Sequence, residues 1–435
     1  MYIKELQLEN FRGFPELNLK FSHNLAVLIG INGSGKSSLL DAIAILLSQW
    51  EKAFQKSNKQ RLERLKLTED DININSNFTK ISIKVFMDSD NFEISESMNR
   101  SKSSASSITP YPKLFNSNPK ILDHLDSSQS LPVMVYYQTH RMVLSSEYKK
   151  IKNSPKSPLS RDRQLSGYRG AFSSKVNDFQ DFFNWFKDEE DYENEIRLRS
   201  DTNYRNPNLE IVRLAITKFL NNFPQTKFAN LHVVRVSTNR DNISPSNPSL
   251  TISKNGQYLK LEKLSDGEKM LLMLVTDLAR RLAILNPAVT EPAQALEGKG
   301  IVLIDEIDLH LHPQWQRIVI SSLTATFPNC QFIVTTHSPQ VLSHVYRENV
   351  FILNNAQVVK VTPPTFGRDH NSILYELMGV TERPIEVQQK LDKCFKLIDD
   401  EKIEEAQTAL AKLSDLLGDD DPEIVRAYTL IDFFN

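Results

Sequence analysis

The segment GINGSGKS, at residues 30–37, restricts the fold of this chain more than any other feature of its sequence. It matches the pattern GxxxxGK followed by Ser or Thr, and it comes directly after an apolar run at 25–29. Behind it, apolar residues recur at the spacing of one buried helix face, namely Leu39, Leu40, Ile43 and Leu47. A strand, a glycine-rich loop and a helix in this order predict an α/β fold built on a mixed or parallel sheet.

A loop of this kind binds phosphate mainly through its backbone, because glycines let successive N–H groups turn toward the anion. We expect Lys36 to reach the β and γ phosphates of a nucleotide and the Ser37 hydroxyl to hold magnesium. A glycine-rich turn without a ligand is the plain alternative, but pattern and context together favour a nucleotide. The candidate binding residues of the loop are Gly30, Asn32, Gly33, Ser34, Gly35, Lys36, Ser37 and Ser38.

Two acidic residues end the apolar segment IVLIDE at 301–306. We expect Asp305 to bind magnesium, directly or through its waters, and Glu306 to orient or deprotonate an attacking water. Adjacent acids at a strand end are also compatible with plain solvation. A further apolar run at 332–335 leads into TTHSP, so that His337 reaches another strand end, where it can bond a γ phosphate or the attacking water. Glu306 and His337 are therefore the candidate catalytic residues.

His310 and His312 lie close to these acids and raise the alternative of a transition-metal site. Histidines two positions apart share a face of an extended chain, but no convincing third ligand accompanies them in a fixed geometry. Cys330 and Cys394 lie far apart and form no CxxC pair, so they are expected to be buried thiols. Magnesium is the preferred metal.

The segment LSDGEK at 264–269 has two explanations. Ser265 followed three residues later by Glu268 forms a capping box, which opens an apolar helix and by itself accounts for the motif. A capped helix start beside a glycine is also an anion site. The candidate nucleotide contacts here are Ser265, Asp266, Gly267 and Glu268.

Composition is that of an average soluble chain, with 40% hydrophobic and 24% charged residues among 435. No apolar run approaches the roughly 18 residues of a membrane span, and no secretion signal opens the sequence, so we expect a cytoplasmic location and no membrane contact. The formal net charge of −2 means that nucleic acid would need a local basic patch. Residues 141–169 supply one, with eight basic and two acidic side chains. DNA contact and an ordinary solvated face both remain open for this segment.

The order of the elements predicts two regions. Residues 1–366 should form a head, with a small antiparallel β appendage, a loop-rich stretch at 99–130 and a basic and helical insertion at about 141–225. Residues 367–435 should form a helical tail, a hairpin plus one further helix with breaks near Glu401 and at 418–422, and this tail is the expected docking element for a partner.

The four motifs GINGSGKS, LSDGEK, IVLIDE and TTHSP, in this order, resemble the ABC-type ATPase head of the SMC, RecF and double-strand-break-repair ATPases. In the opening LQLENFRGF, Asn10, Phe11 and Arg12 match the NFR that this family carries at the nucleotide edge. The resemblance implies that ATP held by one subunit is covered by the signature LSDGEK of another, giving a head-to-tail dimer with two shared sites. Gln138, at the end of the strand LPVMVYY, is the candidate for the family's magnesium-sensing glutamine.

Two departures from that family pattern have consequences. The interval between Ser38 and Leu264 is too short for the coiled-coil arm of SMC proteins and shows no sustained heptads, so a compact head is expected. Asp266 replaces the first glycine of the usual LSGGE, which places a carboxylate near the incoming γ phosphate and suggests slow hydrolysis.

Three further stretches are similar to bacterial antiphage ATPases, nearest to the ATPase subunit of Septu systems, including those attached to retrons. They are DEIDLHLHPQWQ, DFFNWFKDEEDYENE and RDHNSILYELMGV. The related overcoming-lysogenization-defect nucleases carry a C-terminal Toprim nuclease, but the sequence after His370 has no comparable acidic cluster or HNH-like histidines. The resemblance therefore implies that a separate HNH nuclease docks on the ATPase.

Three functions remain open at this level. The preferred one is an ATP-dependent regulatory subunit that controls a nuclease during phage infection. The alternatives are a RecF-like DNA-repair ATPase that binds duplex DNA through 141–169, and a nucleotide-sensing scaffold with little hydrolysis. An HNH gene next to this one would favour the defence function, and a location among replication genes would favour the repair function. An assay of ATP turnover would distinguish the scaffold from both.

Overall fold

Two compact units make up the described part of the chain, Met1–Arg368 and Asp369–Asn435. The computed structural model describes residues 1–22, 24–54, 65–87, 90–100, 102–108, 130–139, 164–173, 178–239, 242–289, 291–359, 363–380 and 383–434. No helix within these ranges is both long and apolar enough to cross a membrane.

The strands of the described residues all belong to the first unit and divide among three sheets. In chain order they are β1 (Tyr2–Phe11), β2 (Phe14–Lys20), β3 (Leu25–Gly30), β4 (Phe78–Met87), β5 (Asp90–Asn99), β6 (Lys102–Ile108), β7 (Val133–Tyr137), β8 (Phe228–Asn239), β9 (Asn242–Lys254), β10 (Gln257–Lys260), β11 (Gly300–Ile304), β12 (Cys330–Thr335), β13 (Val350–Asn354) and β14 (Gln357–Val358).

Helices of the first unit precede those of the second along the chain. Those of the first unit are α1 (Lys36–Phe54), α2 (Asp178–Arg199), α3 (Pro207–Leu220), α4 (Asp266–Leu285), α5 (Pro292–Leu296), α6 (Pro313–Gln316), α7 (Val319–Thr326) and α8 (Pro339–Leu342). Those of the second unit are α9 (His370–Met378), α10 (Ile385–Asp399), α11 (Ile403–Leu417) and α12 (Pro422–Phe434).

The central sheet has the strand order β14-β13-β3-β12-β11-β7. Neighbours from β13 to β7 run parallel, and only the short β14 is antiparallel. Every residue of β7, β11 and β12 is buried, as expected for parallel strands covered on both faces. The carboxyl ends of β3, β12, β11 and β7 consequently meet at one edge, and the predicted mixed, mostly parallel sheet is confirmed.

The antiparallel appendage is larger than predicted, with five strands in the order β2-β1-β4-β5-β6. Within the stretch 99–130, which was expected to be a loop, Lys102–Ile108 forms strand β6 against β5, so the prediction was wrong there. Backbone bonds to a neighbouring strand do not require apolar side chains, and a serine-rich composition therefore misses such an edge strand. Residues 109–129 lie outside the described part of the chain.

The inserted helices α2 and α3 lie within the stretch at about 141–225 that was predicted to be a basic and helical insertion. Phe182, Phe183 and Phe186 are buried, so the aromatic face of α2 is part of the core. The sequence had not predicted the three-stranded sheet of β8, β9 and β10 that follows these helices.

The second unit packs α10, α11 and α12 around a small core that includes Cys394, Leu410 and Ile431. Helix breaks occur at the two predicted places, where Glu401 and Gly418 have φ of 58° and 93°. The predicted hairpin plus one helix omitted α9, which ends at Gly379 in a left-handed conformation. The buried state of both cysteines is confirmed.

Candidate functional site

In the loop between β3 and α1, the backbone requires glycine at two positions, Gly30 and Gly35. Gly35 has φ of 98°, and a methyl group there would lie 2.3 Å from the Phe14 ring. A methyl group on Gly30 would lie 2.3 Å from the carbonyl oxygen of Leu353. The glycines of the motif therefore keep the loop packed against β13 and the β1–β2 hairpin, with its backbone at the start of α1.

Lys36 folds back over this loop, where its ammonium group donates to the carbonyl oxygens of Gly30, at 2.9 Å, and Ile31, at 3.1 Å. Burial lowers the pKa of the Lys36 ammonium group, while the nearby carboxylates of Asp305, Glu306 and Asp308 oppose that shift. The cation is therefore held beside the loop by neutral acceptors, which a phosphate can replace.

The hydroxyl of Ser34 is buried and has no hydrogen-bond partner within the described residues. Burying a hydroxyl without a partner costs free energy, so such a group calls for an acceptor. A phosphate oxygen in the loop would be one. Ser34 thus supports the fit of the loop to a phosphate ligand, independently of the sequence pattern.

Asp305 accepts three hydroxyl groups at the end of β11. Ser37 lies at 3.0 Å and 3.2 Å from its two oxygens, Thr139 at 3.0 Å and Thr335 at 2.6 Å. Ser37 and Asp305 are 268 positions apart in the sequence, and the fold brings them into contact. In the sheet β12 lies between β3 and β11, so the residues after β3 reach across the end of β12 to the end of β11.

This set of oxygen atoms suits magnesium, which is usually held by one or two carboxylates together with substrate phosphates. Ser37 and Asp305 supply a hydroxyl and a carboxylate in contact with each other. Across the described ranges, no group of three or more His, Cys, Asp and Glu side chains could hold a metal ion. His312 instead caps α6 by accepting from the N–H of Gln314, and His310 is exposed.

Glu306 has a left-handed backbone, with φ of 49°, directly after Asp305. Its N–H donates to the hydroxyl of Thr335 at 2.8 Å, and that same hydroxyl donates to Asp305. A non-glycine residue in this conformation costs about 1–3 kcal/mol and persists only where its surroundings impose it. Thr335, which is fully buried, thereby orients both acids.

His337 follows β12 and is exposed at the same edge. Partial desolvation and then the positive charge of Lys36 lower the pKa of its imidazole, against the effect of Asp308, Glu306 and Asp305. The imidazole is therefore neutral near pH 7 and able to accept or donate one hydrogen bond. Ser338, next to it, caps α8.

The NFR segment contacts the start of α1 mainly through its arginine. Arg12 forms ion pairs with Asp41, at 2.6 Å, and Asp71, at 2.8 Å, and reaches the hydroxyl of Ser38 at 3.4 Å. Asn10 and Arg12 both have positive φ. The Phe11 ring is fully buried beneath the Arg12 guanidinium, so it can support that group but offers no surface to a ligand.

The signature residues begin α4, where Ser265 and Glu268 form the predicted capping box. Glu268 also pairs with Lys254 at 2.5 Å. Ser265 and Asp266 are exposed, whereas a methyl group on Gly267 would lie 2.5 Å from the carbonyl oxygen of His310. The signature thus packs against the segment that follows Glu306 and presents its first residues to solvent.

Gln138 is half-buried between Tyr137 and Thr139, at the end of β7. It lies at the sheet edge, and the next residue, Thr139, donates to the Asp305 carboxylate. Sequence reasoning missed Thr139 and Thr335. Two signals could have indicated them: Thr335 lies inside TTHSP, and Thr139 comes directly after Gln138.

Of the basic segment 141–169, residues 141–163 lie outside the described part.

The sheet edge, the phosphate loop and the exposed signature define an ABC-type ATPase head as the class of this protein. Residues 25–343 match the family described as "AAA domain, putative AbiEii toxin, Type IV TA system". The chain is 31% identical to the "Retron Vc95 probable ATPase" of Vibrio cholerae serotype O1 biovar El Tor, over 88% of this chain and 80% of that protein. The chain therefore belongs to this ATPase-domain family, together with the retron ATPases.

Other relatives extend the same likeness. The "Retron Ec83 probable ATPase" of Escherichia coli is 31% identical over 97% of this chain and 85% of its own length. The Septu protein PtuA of Bacillus thuringiensis is 23% identical, with 97% and 96% covered. An SMC head solved with the C-winged helix domain of ScpA is 20% identical over 83% of this chain and 98% of that one, with a TM-score of 0.45. The resemblance to the ATPases of retron and Septu systems, inferred from the sequence, is confirmed.

Proposed function

We propose that this chain is the ATP-binding and ATP-hydrolysing subunit of a bacterial antiphage defence complex. The bond between the Ser37 hydroxyl and the Asp305 carboxylate, 3.0 Å long, carries the proposal, because it joins the phosphate loop to an acid from another strand. Relatives named as retron ATPases and Septu PtuA proteins support the biological setting.

ATP is bound in this proposal by the loop backbone, the Ser34 hydroxyl and the Lys36 ammonium group. Lys36 exchanges its carbonyl acceptors for the β and γ phosphates, a charge-assisted contact that is stronger than the neutral ones it replaces. Ser37 and Asp305 hold magnesium, which when bound neutralises charge on the phosphates. Arg12 steadies the start of α1 through Asp41 and its contact with Ser38.

Hydrolysis is assigned to Glu306 and His337 at the same sheet edge. The carboxylate of Glu306 orients or deprotonates the attacking water, and its direction is set by the bond from its N–H to Thr335. The neutral imidazole of His337 bonds the γ phosphate or the same water. The strained backbone of Glu306 supports this role, since strain of this kind clusters at active sites.

A second copy of the chain completes each site. Ser265 and Asp266 are exposed, and the bonds of Glu268 are already made within its own chain, to Ser265 and Lys254. The free surface at this helix start is therefore suited to a nucleotide held by another copy. Pairing head to tail gives two sites, each with the phosphate loop of one chain and the signature of the other.

Cross-linking tests this arrangement directly. Chains carrying Asn32→Cys are mixed with chains carrying Ser265→Cys, since both positions are exposed and the natural cysteines are buried. A short bismaleimide should join the two variants only when ATP and magnesium are present. Ser321→Cys, at an exposed site on α7, is the matched control for Ser265→Cys. Equal cross-linking of the control, or none with ATP, would contradict the head-to-tail dimer.

The effector in this proposal is a separate HNH nuclease, which binds the C-terminal helical unit. That unit exposes apolar side chains to a partner, namely Tyr375, Ile385, Leu416, Tyr428 and Phe433. Co-expression with the product of the neighbouring gene, followed by purification of the full chain, tests the assignment. A complex that forms equally well after Leu416→Glu and Phe433→Glu would contradict docking on this unit.

A further inference from the structure

Helix α4, which begins with the signature, carries three charged side chains in its buried interior. Asp277, Arg280 and Arg281 are 1%, 6% and 1% exposed. Both arginines donate to the Asp277 carboxylate, at 2.5 Å from Arg280 and 2.7 Å from Arg281. Removing charges from water is costly, so such a cluster stays buried only when its bonds are nearly complete.

The cluster bonds groups outside its own helix. The Arg281 guanidinium donates to the carbonyl oxygens of Gly167, at 2.8 Å, and Arg169, at 3.0 Å. The Tyr137 hydroxyl donates, at 2.9 Å, to the same Asp277 oxygen that accepts from Arg281. Burial raises the pKa of Asp277, but the charges of Arg281 and Arg280 outweigh it and hold the pKa at about 2, so the acceptor of Tyr137 is an ionised carboxylate.

Tyr137 is the last residue of β7, and its backbone is bonded directly to Asp305 of the candidate metal site. Its carbonyl oxygen accepts from the N–H of Asp305 at 2.9 Å. Two residues further on, Thr139 donates to the Asp305 carboxylate at 3.0 Å. A continuous series of bonds therefore runs from the middle of α4 through Tyr137 to Asp305.

We propose that the bond between Tyr137 and Asp277 couples the two ATP sites of the dimer, with Tyr137 as the positioning residue. The inference rests on the proposed function, in which the signature of one chain contacts the nucleotide of the other. Asp277 lies about 17 Å along α4 from Asp266, at 1.5 Å per residue, so a rigid helix carries a shift at the signature to β7. That shift reaches Asp305, which holds the chain's own metal and nucleotide.

This coupling predicts cooperative binding of ATP, because occupation of one site biases the arrangement of Asp305 in the other. The Tyr137→Phe change keeps the Tyr137 carbonyl oxygen that accepts from Asp305 and removes only the hydroxyl that bonds Asp277. Loss of the link should therefore leave the intrinsic affinity of each site and remove only the dependence of one site on the other.

The test compares two buried tyrosines that each lose one hydroxyl. Tyr137→Phe breaks the link to Asp277. Tyr168→Phe is the matched control, since Tyr168 is 1% exposed and donates to the carbonyl oxygen of Pro132 at 2.7 Å, near the opposite end of β7. Both changes are made in the full-length Glu306→Gln chain, so that ATP with magnesium can be titrated to equilibrium.

The Hill coefficient for ATP binding should be about 2 in the Glu306→Gln parent and in the Tyr168→Phe chain, and should be lower in Tyr137→Phe, with all three measured at the same protein concentration. Thermal unfolding midpoints should be alike in the two phenylalanine variants. Equal Hill coefficients in all three chains, an equal fall in both variants, or a non-cooperative parent would overturn the coupling. A parent that does not bind ATP would instead overturn the proposed function.

Discussion

The phosphate loop and the signature, which are the two parts of the candidate site, differ in how many of their contacts one chain supplies. At the phosphate loop, Lys36 and Ser37 already bond within the chain, and the second of these bonds reaches Asp305. At the signature, Ser265 and Asp266 are exposed at a capped helix start. The first part is therefore organised by contacts within one chain, and the second has an open surface. The difference teaches that ATP binding and ATP turnover should respond separately to substitution.

Lys36→Ala should have the largest effect, because it removes the ammonium group that is assigned to the β and γ phosphates. We expect ATP affinity to fall by at least about 100-fold, as for the loss of a charge-assisted phosphate contact of roughly 3 kcal/mol. Equilibrium titration with ATP and magnesium measures it. Lys80→Ala, at an exposed lysine on β4, is the control. Unchanged affinity in Lys36→Ala would make the phosphate-loop assignment wrong.

Glu306→Gln should lower the rate of ATP turnover by about 100-fold or more, while the affinity for ATP stays within a few-fold of the original. The amide keeps the shape of the side chain but loses its charge and most of its basicity. Phosphate release and ATP titration on the same sample separate the two effects. Glu297→Gln changes an exposed glutamate away from the sheet edge and should alter neither. Turnover at the original rate would remove Glu306 from catalysis.

Ser265→Arg tests the open part of the site alone. A bulky cation at the exposed helix start should block closure over the partner's nucleotide, so turnover should fall by about 10-fold or more. ATP binding to the separate chain should persist, because the phosphate loop is intact. Ser321→Arg places the same side chain at an exposed position on α7. Loss of ATP affinity in Ser265→Arg would show that both parts act within one chain.

Thr335→Val should produce a smaller loss, since it removes the hydroxyl that orients both Asp305 and Glu306. The lower end of the cost of leaving a buried group without a partner, about 1 kcal/mol, corresponds to roughly a 5-fold fall in turnover if it acts on the transition state alone. Thr335→Ser keeps the hydroxyl and should restore most of the activity. Equal rates for the valine and serine variants would contradict the orienting role.

The pH dependence should show the smallest effect. The pKa of His337 is lowered below its usual value of about 6.5, so the imidazole stays neutral from pH 7 upward and protonates only in more acidic solution. Turnover should therefore be level between pH 7 and 8 and decline below about pH 6.5. In His337→Gln the acidic decline should be reduced. A decline beginning above pH 7 would mean that another group controls it.

Much of this site was predictable because its motifs have strict local requirements. Gly30 and Gly35 have φ of 153° and 98°, a local backbone conformation that favours glycine, and the capping box of Ser265 and Glu268 involves residues three apart. Buried strand β11 ending in two acids is likewise a local pattern. The roles of the individual residues remain predictions, although the class of protein is confirmed.

Other features left no local signal. β6 is held by backbone bonds that a serine-rich sequence does not indicate, and the long β8–β9 hairpin was equally unexpected. Thr139 and Thr335 became part of the site only because β7 and β12 flank β11. An isolated threonine after a strand is common, so its sequence alone carries little information about a partner.

The amino-acid sequence by itself determined the class of this protein, through the loop at 30–37, the acids after β11 and their order along the chain. Only the tertiary structure decided that Ser37, Thr139 and Thr335 meet at Asp305, and that Tyr137 bonds Asp277. The physical reason is distance along the chain. Loop shape and helix capping depend on neighbouring residues, whereas a hydrogen bond across 268 or 140 positions depends on which strands pair.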